Sequence, residues 1–265
     1  MKLASQAVEI HVTDQGEGSP VLVFLHYWGG SSRTWDAVVA QLPDRYRSVR
    51  PDLRGWGNSQ PHSVVGYSLD DFALDVTNMI ERLKLDRYVL VGHSMGGKIA
   101  QLLASRHPAG LAGLILIAPA PPGPLAMPTE ALEAMATAYE SEQSVEMAID
   151  HMLTVTPLSP QHRQQVIEDS MRGAPAAKAA WPKLTSRQDI TREVLAIDVP
   201  TAIIAGELDK VDSVATLEAE LLTRIPHAAF HKLKGAGHLS PLESPGEIAA
   251  IIQAFVENVC DDVRT

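Results

Sequence analysis

The segment Gly92-His93-Ser94-Met95-Gly96 limits the possible folds of this chain more than any other feature. It reads G-x-S-x-G, and it lies between the apolar run Tyr88–Val91 and a run with apolar residues at helical spacing, Lys98–Arg106. A serine on a sharp strand-to-helix turn has its hydroxyl pushed clear of the backbone, and the flanking glycines let strand and helix cross closely. The segment therefore predicts a strand–turn–helix unit with Ser94 as a nucleophile.

Short apolar runs alternate with amphipathic segments along most of the chain. This alternation predicts one α/β fold, with a mostly parallel twisted sheet that carries helices on both faces. The predicted strands are Ala7–Val12, Val21–His26, Arg47–Pro51, Tyr88–Gly92, Gly113–Ala118, Thr201–Ala205 and Ala228–Leu233. The predicted helices are Thr34–Leu42, Leu69–Leu83, Met95–Arg106, Val214–Ile225 and Glu243–Val259.

Residues 122–195 interrupt this alternation, because they contain no strand pattern. We predict a helical lid here, inserted between the two parts of the core at residues 1–121 and 196–265. Four short helices are expected, with N-caps at Thr129, at Ser141 or Ser144, and at Ser159 for the first three and the fourth over Ala176–Leu184. Methionines are frequent in this segment, and Met152 is a candidate to line an apolar substrate cavity.

Composition restricts the partners and the location of the protein. A net charge of −10 and a pI near 5.4 argue against nucleic acid and anionic membranes as partners. Cys260 is the single cysteine, which excludes an intramolecular disulfide and fits a reducing compartment. The uncharged stretch Pro108–Thr129 has six prolines and so predicts no membrane-spanning helix. No signal-peptide pattern opens the chain, and we expect a soluble cytoplasmic protein.

A nucleophilic serine needs a base, and the base needs an acid that orients it. The turn after the predicted strand Thr201–Ala205 offers Asp209 as the acid, with Glu207 and Asp212 as rivals. Asp212 is the better candidate to cap the next helix, which favours Asp209. The base candidate is His238, since it follows the last strand in the glycine-rich turn Gly235-Ala236-Gly237.

Acyl transfer also needs hydrogen-bond donors for the negatively charged oxygen of its intermediate, a site called the oxyanion hole. The backbone N–H of Met95 is the first expected donor, because it follows the nucleophile at a helix N-terminus. The loop His26-Tyr27-Trp28-Gly29-Gly30 should supply the second through the N–H of Trp28. We expect His26 to brace this loop, and the indole of Trp28 to face the substrate.

These motifs together resemble those of the α/β-hydrolase superfamily over essentially the whole chain apart from the lid. The resemblance includes the turn at Ser94, the run Asp52-Leu53-Arg54-Gly55-Trp56-Gly57-Asn58-Ser59, and the chain order Ser94, Asp209, His238. Two positions depart from the family pattern. Tyr27 stands where the loop usually has glycine, and Ser213 stands where the acid turn usually has proline.

The resemblance implies a hydrolase that uses no metal and no cofactor. A serine at position 94 implies an acyl-enzyme, whereas haloalkane dehalogenases and epoxide hydrolases have aspartate there. The expected function is hydrolysis of small, apolar carboxylic esters or lactones through an acyl-Ser94 intermediate. Hydrolysis of a C–C bond in a vinylogous diketone, perhydrolysis of the haloperoxidase type and, more remotely, a non-catalytic ligand receptor with the same fold are the alternatives.

Overall fold

The fold is built on an eight-stranded sheet. The computed structural model describes residues 1–4, 8–59, 66–125, 127 and 129–261. The strands are β1 (Lys2–Ala4), β2 (Glu9–Gln15), β3 (Val21–Leu25), β4 (Ser48–Pro51), β5 (Tyr88–His93), β6 (Leu111–Ile117), β7 (Thr201–Gly206) and β8 (Ala229–Leu233). Their spatial order is β1-β2-β4-β3-β5-β6-β7-β8.

The sheet is mostly parallel, as the sequence predicts. Strands β3 to β8 run in one direction, whereas β2 pairs antiparallel with β4 and with β1 at the edge. Strand β1 was not expected from the sequence, and Ala7, the predicted start of the first strand, lies outside the described residues. Because β3, β5, β7 and β8 are parallel, their carboxyl ends meet at one edge of the sheet.

Helices cover both faces of this sheet. They are α1 (Asp36–Val39), α2 (Leu69–Arg82), α3 (Met95–Ala104), α4 (Thr129–Thr137), α5 (Glu142–Ala148), α6 (Pro160–Arg172), α7 (Pro175–Lys183), α8 (Val214–Leu217), α9 (Ser240–Glu243) and α10 (Pro245–Asp261). Alternate residues of β5 enter different cores: Tyr88 and Leu90 pack on one face, and Val89 and Val91 on the other. Burial on both faces explains why this strand reads as a continuous apolar run.

Three predicted helices differ from the observed ones. The predicted helix Thr34–Leu42 is a 3-10 turn followed by the single turn α1. The predicted helix Val214–Ile225 is α8 followed by a π-helical turn, Glu218–Leu222. The predicted final helix is divided at Ser244, which has an extended φ of −138°. A residue before proline avoids the helical region, so Pro245 ends α9 and starts α10.

The described residues between β6 and β7 contain helices and no strand. They form α4 to α7, a π-helical turn at Ile149–Leu153 after α5, and two 3-10 turns at Thr185–Arg187 and Glu193–Ala196. Ser141 caps α5 and Ser159 caps α6, whereas the side chain of Thr129 lies outside the described residues. Because β6 and β7 pair directly, the whole segment leaves and re-enters the sheet between neighbouring strands. No helix in the described ranges is long and apolar enough to cross a membrane.

Candidate active site

Ser94 lies on the tight turn between β5 and α3. Its backbone has φ 52° and ψ −114°, a conformation that costs a non-glycine residue about 1–3 kcal/mol. The glycines around it allow the close crossing of strand and helix. A Cβ added to Gly96 would lie 2.3 Å from the carbonyl oxygen of Leu25, and one added to Gly92 would lie 2.5 Å from the oxygen of Gly96. The sequence therefore uses glycine where any side chain would collide with backbone.

His238 lies between Ser94 and Asp209 and is hydrogen-bonded to both. Its Nε2 is 2.9 Å from Ser94 Oγ, and its Nδ1 is 2.9 Å from Asp209 Oδ2. The three residues come from loops at the carboxyl ends of β5, β7 and β8, and all three are buried, with Ser94 7% exposed. The structure thus brings together the three residues that the sequence predicted as nucleophile, base and acid.

The charges in this chain of hydrogen bonds fix the proton positions. Burial alone would raise the pKa of Asp209, but the facing imidazole of His238 and the N–H groups of Val211 and Asp212 outweigh burial and lower it. Both N–H groups donate to Asp209 Oδ1, at 2.7 Å and 3.1 Å. An ionised carboxylate only accepts hydrogen bonds, so His238 carries its proton on Nδ1. Its Nε2 is then free to accept the proton of Ser94.

The pKa of His238 is raised although burial opposes this. Burial lowers it, but the charge of Asp209, the hydrogen bond to that carboxylate, and the charges of Asp212 and Glu243 outweigh burial. The imidazolium form of His238 is therefore stabilised by three carboxylates. A base whose charged form is stabilised accepts a proton from serine more readily.

Neither rival acid contacts the His238 ring by a hydrogen bond. Glu207 is exposed and accepts from the N–H of Gly235 at 3.1 Å. The prediction that Asp212 caps the following helix is wrong, because the Ser213 side chain accepts from Thr216 N and fills that place. Asp212 is instead buried beside Asp209. Burial is the main cause that raises its pKa to about 7, with the charge of Asp209 adding to it.

Hydrogen bonds to the carbonyl oxygen of Tyr27 fix the direction of the Trp28 N–H in the loop after β3. The carbonyl oxygen of Tyr27 accepts from Gly30 N at 3.0 Å and from His26 Nδ1 at 2.7 Å. The C=O and N–H of a trans peptide point in opposite directions, so fixing the oxygen of Tyr27 also fixes the N–H of Trp28. Neither this N–H nor that of Met95 donates to another residue in the described part of the chain.

His26 braces this loop, as the sequence analysis expected. Leu53 N donates to His26 Nε2 at 2.9 Å, so the proton of the ring lies on Nδ1 and points to Tyr27. Complete burial lowers the pKa of His26 to about 4, which keeps the ring neutral. The same hydrogen bond joins the loop after β3 to the loop Asp52–Ser59, where Asp52 accepts from Ser32 N and Asn58 N.

Tyrosine at position 27 fits because the left-handed residue of the loop is Gly29. Gly29 has φ 99°, and Tyr27 is not among the described residues with positive φ. The Tyr27 ring is buried with its centroid 5.2 Å from that of His93. The departure from the family pattern therefore changes what the loop packs against and leaves the turn itself intact.

The two residues predicted to contact substrate have different surroundings. The Trp28 indole is buried against Tyr139, with ring centroids 4.1 Å apart, and its Nε1 donates to Lys178 O at 3.2 Å. Met152 lies on the π-helical turn Ile149–Leu153 and is 45% exposed. Their contact with a substrate stays a prediction.

His93, the residue before Ser94, is hydrogen-bonded to the backbone of His238. Its Nε2–H donates to the carbonyl oxygen of His238 at 2.8 Å, which ties the turn at Ser94 to the loop of His238. Burial is the main cause that lowers the pKa of His93 to about 3, so the ring is neutral. A histidine next to the serine is visible in the sequence, but the partner 145 residues away is not.

Glu243 is a second residue that the sequence analysis did not identify. Its Oε2 accepts from Gly237 N at 3.0 Å, next to His238, and its Oε1 accepts from the N–H groups of Val155 and Thr156. Glu243 thus links the loop of His238 to the helical segment between β6 and β7. The sequence places Glu243 at the start of the last predicted helix, where the helix dipole already favours an acidic residue, so nothing in the sequence indicates these partners.

No metal-binding group of three or more His, Cys, Asp or Glu residues exists within the described ranges. That the reaction needs neither metal nor cofactor stays a prediction.

Comparison with known proteins identifies the class. Residues 20–245 match the family model described as the alpha/beta hydrolase fold. The chain is 29% identical to a non-heme haloperoxidase of Rhodococcus erythropolis, over 96% of this chain and 98% of the relative. It is 31% identical to a 2-succinyl-6-hydroxy-2,4-cyclohexadiene-1-carboxylate synthase of Enterobacter sp. (strain 638), over 93% and 95%. A thermophilic esterase from Thermogutta terrifontis superposes with a TM-score of 0.80 at 26% identity, covering 98% of each chain.

The protein is therefore a member of the alpha/beta hydrolase family, with haloperoxidase and esterase relatives. This confirms the resemblance seen in the sequence and the predicted fold class.

Proposed function

We propose that the protein is a serine hydrolase of small, apolar carboxylic esters or lactones, with Ser94 as nucleophile, His238 as base and Asp209 as acid. The observation that carries this proposal is the buried hydrogen-bonded chain from Asp209 through His238 to Ser94, with both hydrogen bonds at 2.9 Å. A nucleophile within reach of an oriented base is the arrangement that acyl transfer requires.

The reaction has two steps. Ser94 Oγ attacks the carbonyl carbon while His238 Nε2 takes the serine proton, and the N–H groups of Trp28 and Met95 stabilise the oxyanion. His238 then gives the proton to the leaving alcohol as the C–O bond breaks, which leaves an acyl-Ser94. Water attacks the acyl group with His238 again as base, and the acid product leaves with Ser94 restored. In a lactone the leaving alcohol stays attached to the product.

A fluorophosphonate probe tests the nucleophile. We expect labelling of the wild-type protein and none of Ser94→Ala. Ser105→Ala is the matched control at the C-cap of the same helix, since the Ser105 hydroxyl donates to Leu102 O and lies one helix length away from the site. A folded wild-type protein that resists labelling contradicts the proposed serine chemistry.

A substrate panel tests the ester or lactone assignment. We expect turnover of short-chain p-nitrophenyl esters or of small lactones, abolished in Ser94→Ala. Inactivity toward every ester and lactone, together with turnover of a dienone acid, would instead favour C–C bond hydrolysis at the same site.

Perhydrolysis is the second candidate function, because the relative from Rhodococcus erythropolis carries the name non-heme haloperoxidase. Hydrogen peroxide would replace water in the second step and attack the acyl-Ser94, giving a peracid that oxidises halide. The test is halide-dependent bromination of monochlorodimedone in acetate buffer with peroxide. A requirement for both acetate and Ser94 would support this reading.

A further inference from the structure

The helical segment between β6 and β7 holds the loop that carries Trp28. The Tyr139 hydroxyl donates to the carbonyl oxygen of Trp28 at 3.0 Å, and the Ser170 hydroxyl donates to that of Gly29 at 3.1 Å. Both hydrogen bonds are buried and connect residues more than 100 positions apart. Two consecutive carbonyl groups of the loop, those of Trp28 and Gly29, therefore accept hydrogen bonds from the helical segment between β6 and β7.

The same segment makes a third contact two residues further along the chain, at Ser31. The Ser31 hydroxyl donates to Asp169 Oδ2 at 2.8 Å, and Arg33 donates to Asp169 Oδ1 through Nε and Nη2. Asp169 and Ser170 are neighbours on α6, so one short stretch of that helix contacts Gly29, Ser31 and Arg33. The Trp28 ring also packs on Tyr139, with 4.1 Å between their centroids.

These donors matter because the loop can change conformation at Gly29. Gly29 has φ 99°, in the region that glycine enters at little cost, so the peptide between residues 28 and 29 can rotate there. A buried carbonyl oxygen that loses its donor is unfavourable, and rotation toward another donor relieves it. Rotation of this peptide moves the carbonyl oxygen of Trp28 and the N–H of Gly29, and it can turn that oxygen toward the position of the oxyanion, next to the N–H of Trp28.

We propose that Tyr139 and Ser170 are positioning residues for the oxyanion-binding loop, so that the loop is competent only while the helical segment is docked on it. The inference rests on the proposed function, because it assigns the N–H of Trp28 to the oxyanion. It gives the segment a part in the chemical step besides covering the sheet edge. The two hydroxyls act through the loop and need no contact with the substrate.

The test compares Tyr139→Phe, Ser170→Ala and the double variant with the wild-type protein. Each single change removes one oxygen that donates to the loop. The rate constant for phosphonylation of Ser94 by a fluorophosphonate should fall about 10-fold for each single variant, less than the 10²–10³-fold loss on deleting an oxyanion donor outright. With a p-nitrophenyl ester, kcat should fall in parallel while KM stays near the wild-type value, because the oxyanion exists only in the transition state and intermediate.

Thr185→Val is the matched control. The Thr185 hydroxyl also ties the helical segment to the rest of the protein, since it donates to Tyr67 O at 2.5 Å, but it does not reach the loop of Trp28. We expect the labelling rate of this variant to stay within about 2-fold of wild type, as for a substitution without a part in the transition state. A loss equal to that of the loop variants would trace the effect to general loosening of the segment and overturn the inference.

Hydrogen–deuterium exchange gives a readout that is independent of activity. Peptides that cover residues 27–31 should exchange faster in Tyr139→Phe and Ser170→Ala than in wild type and Thr185→Val. Unchanged exchange and unchanged labelling in both loop variants overturn the inference while a labelled wild type keeps the proposed function. An unlabelled wild type refutes the proposed function, and exchange then decides whether the two hydroxyls hold the loop. Should Ser170→Ala fail to fold, Tyr139→Phe alone decides.

Discussion

Asp209 fixes the tautomer of His238, and its removal should affect the rate far more than the fold. In Asp209→Asn the amide can donate to Nδ1, which moves the proton of the ring to Nε2 and stops His238 from accepting the serine proton. We expect kcat to fall by roughly 10⁴. The measurement is steady-state turnover of an ester beside a far-UV circular dichroism spectrum. Glu207→Gln is the control, and inactivity of that variant with a near-neutral Asp209→Asn would reverse the assignment of the acid.

The pH dependence of kcat/KM should report the raised pKa of His238. The base must be neutral to accept a proton, so activity should rise with pH through an apparent pKa above 6.5. Asp212 and Glu243 both raise the pKa of His238, with Asp212 the larger contributor of the two. Asp212→Asn should therefore move the acid limb to lower pH, and Glu243→Gln should move it less. An acid limb that stays in place in both variants would contradict this origin of the shift.

Asp212 should also lower the free energy of unfolding at neutral pH, compared with a neutral side chain at the same position. Its folded-state pKa of about 7 lies above the ordinary value of 3.8 for an aspartate, so the folded state binds this proton more tightly than the unfolded state does. The stabilising contribution is complete below the unfolded pKa and is lost as pH rises through about 7. The penalty above pH 7 is at most about 4 kcal/mol. We expect Asp212→Asn to raise Tm more at pH 8 than at pH 4, measured by differential scanning calorimetry.

The residues found from the sequence share one property, which the missed residues lack. Ser94, Asp209 and His238 each follow a predicted strand in a turn, so the carboxyl edge of a parallel sheet brings them together whatever the side chains do elsewhere. Tyr139 and Ser170 act through hydrogen bonds to backbone oxygens of a distant loop. Neighbours in the chain carry no information about such a partner, because it depends on how the helices pack.

Elements were predictable where burial alone decides them. The central strands are continuous apolar runs because both faces are covered, and their alternation with helices predicts the parallel sheet. Helix ends were less predictable, since a local detail decides each of them. Ser213 rather than Asp212 caps α8, and the proline at 245 divides the last predicted helix. The bounds of the predicted lid, residues 122–195, stay a prediction.

Lys98 connects the nucleophile helix α3 to both ends of that segment. Its Nζ donates to Gly123 O at 2.7 Å and to Ser186 O at 3.2 Å. In Lys98→Met the carbonyl oxygen of Gly123 loses its donor, at about 1–3 kcal/mol, whereas that of Ser186 still accepts from Leu125 N at 2.9 Å. Burial lowers the pKa of Lys98 to about 8, so removing the ammonium also recovers roughly 3 kcal/mol. We therefore expect a small change in global stability but faster cleavage by thermolysin within residues 122–195.

The exposed Lys183→Met is the control for this prediction. It removes a lysine of the same segment without touching either end. Equal cleavage rates for Lys98→Met and wild type would show that the ends are held by other contacts.

At the scale of the whole molecule, the helical segment and the sheet share one core. Tyr139, Val145 and Trp181 of the segment belong to the same buried cluster as Trp28 and Leu53. Elements that share a core lose their contacts together, because the exposed apolar surface of one would be uncovered by the unfolding of the other. We therefore expect the hydrogen bonds that tie the segment to the rest of the protein to break locally, while the segment as a whole unfolds only together with the sheet.

Thermal unfolding followed by two probes tests this expectation. Trp181 is the single tryptophan of residues 122–195, and the other three, Trp28, Trp35 and Trp56, lie outside it. The difference between the fluorescence curves of wild type and Trp181→Phe therefore follows the segment, while far-UV circular dichroism follows the whole chain. We expect coincident midpoints. A fluorescence transition well below the circular dichroism midpoint would mean that the segment folds as a separate unit, and its hold on the loop of Trp28 would then fail before the sheet does.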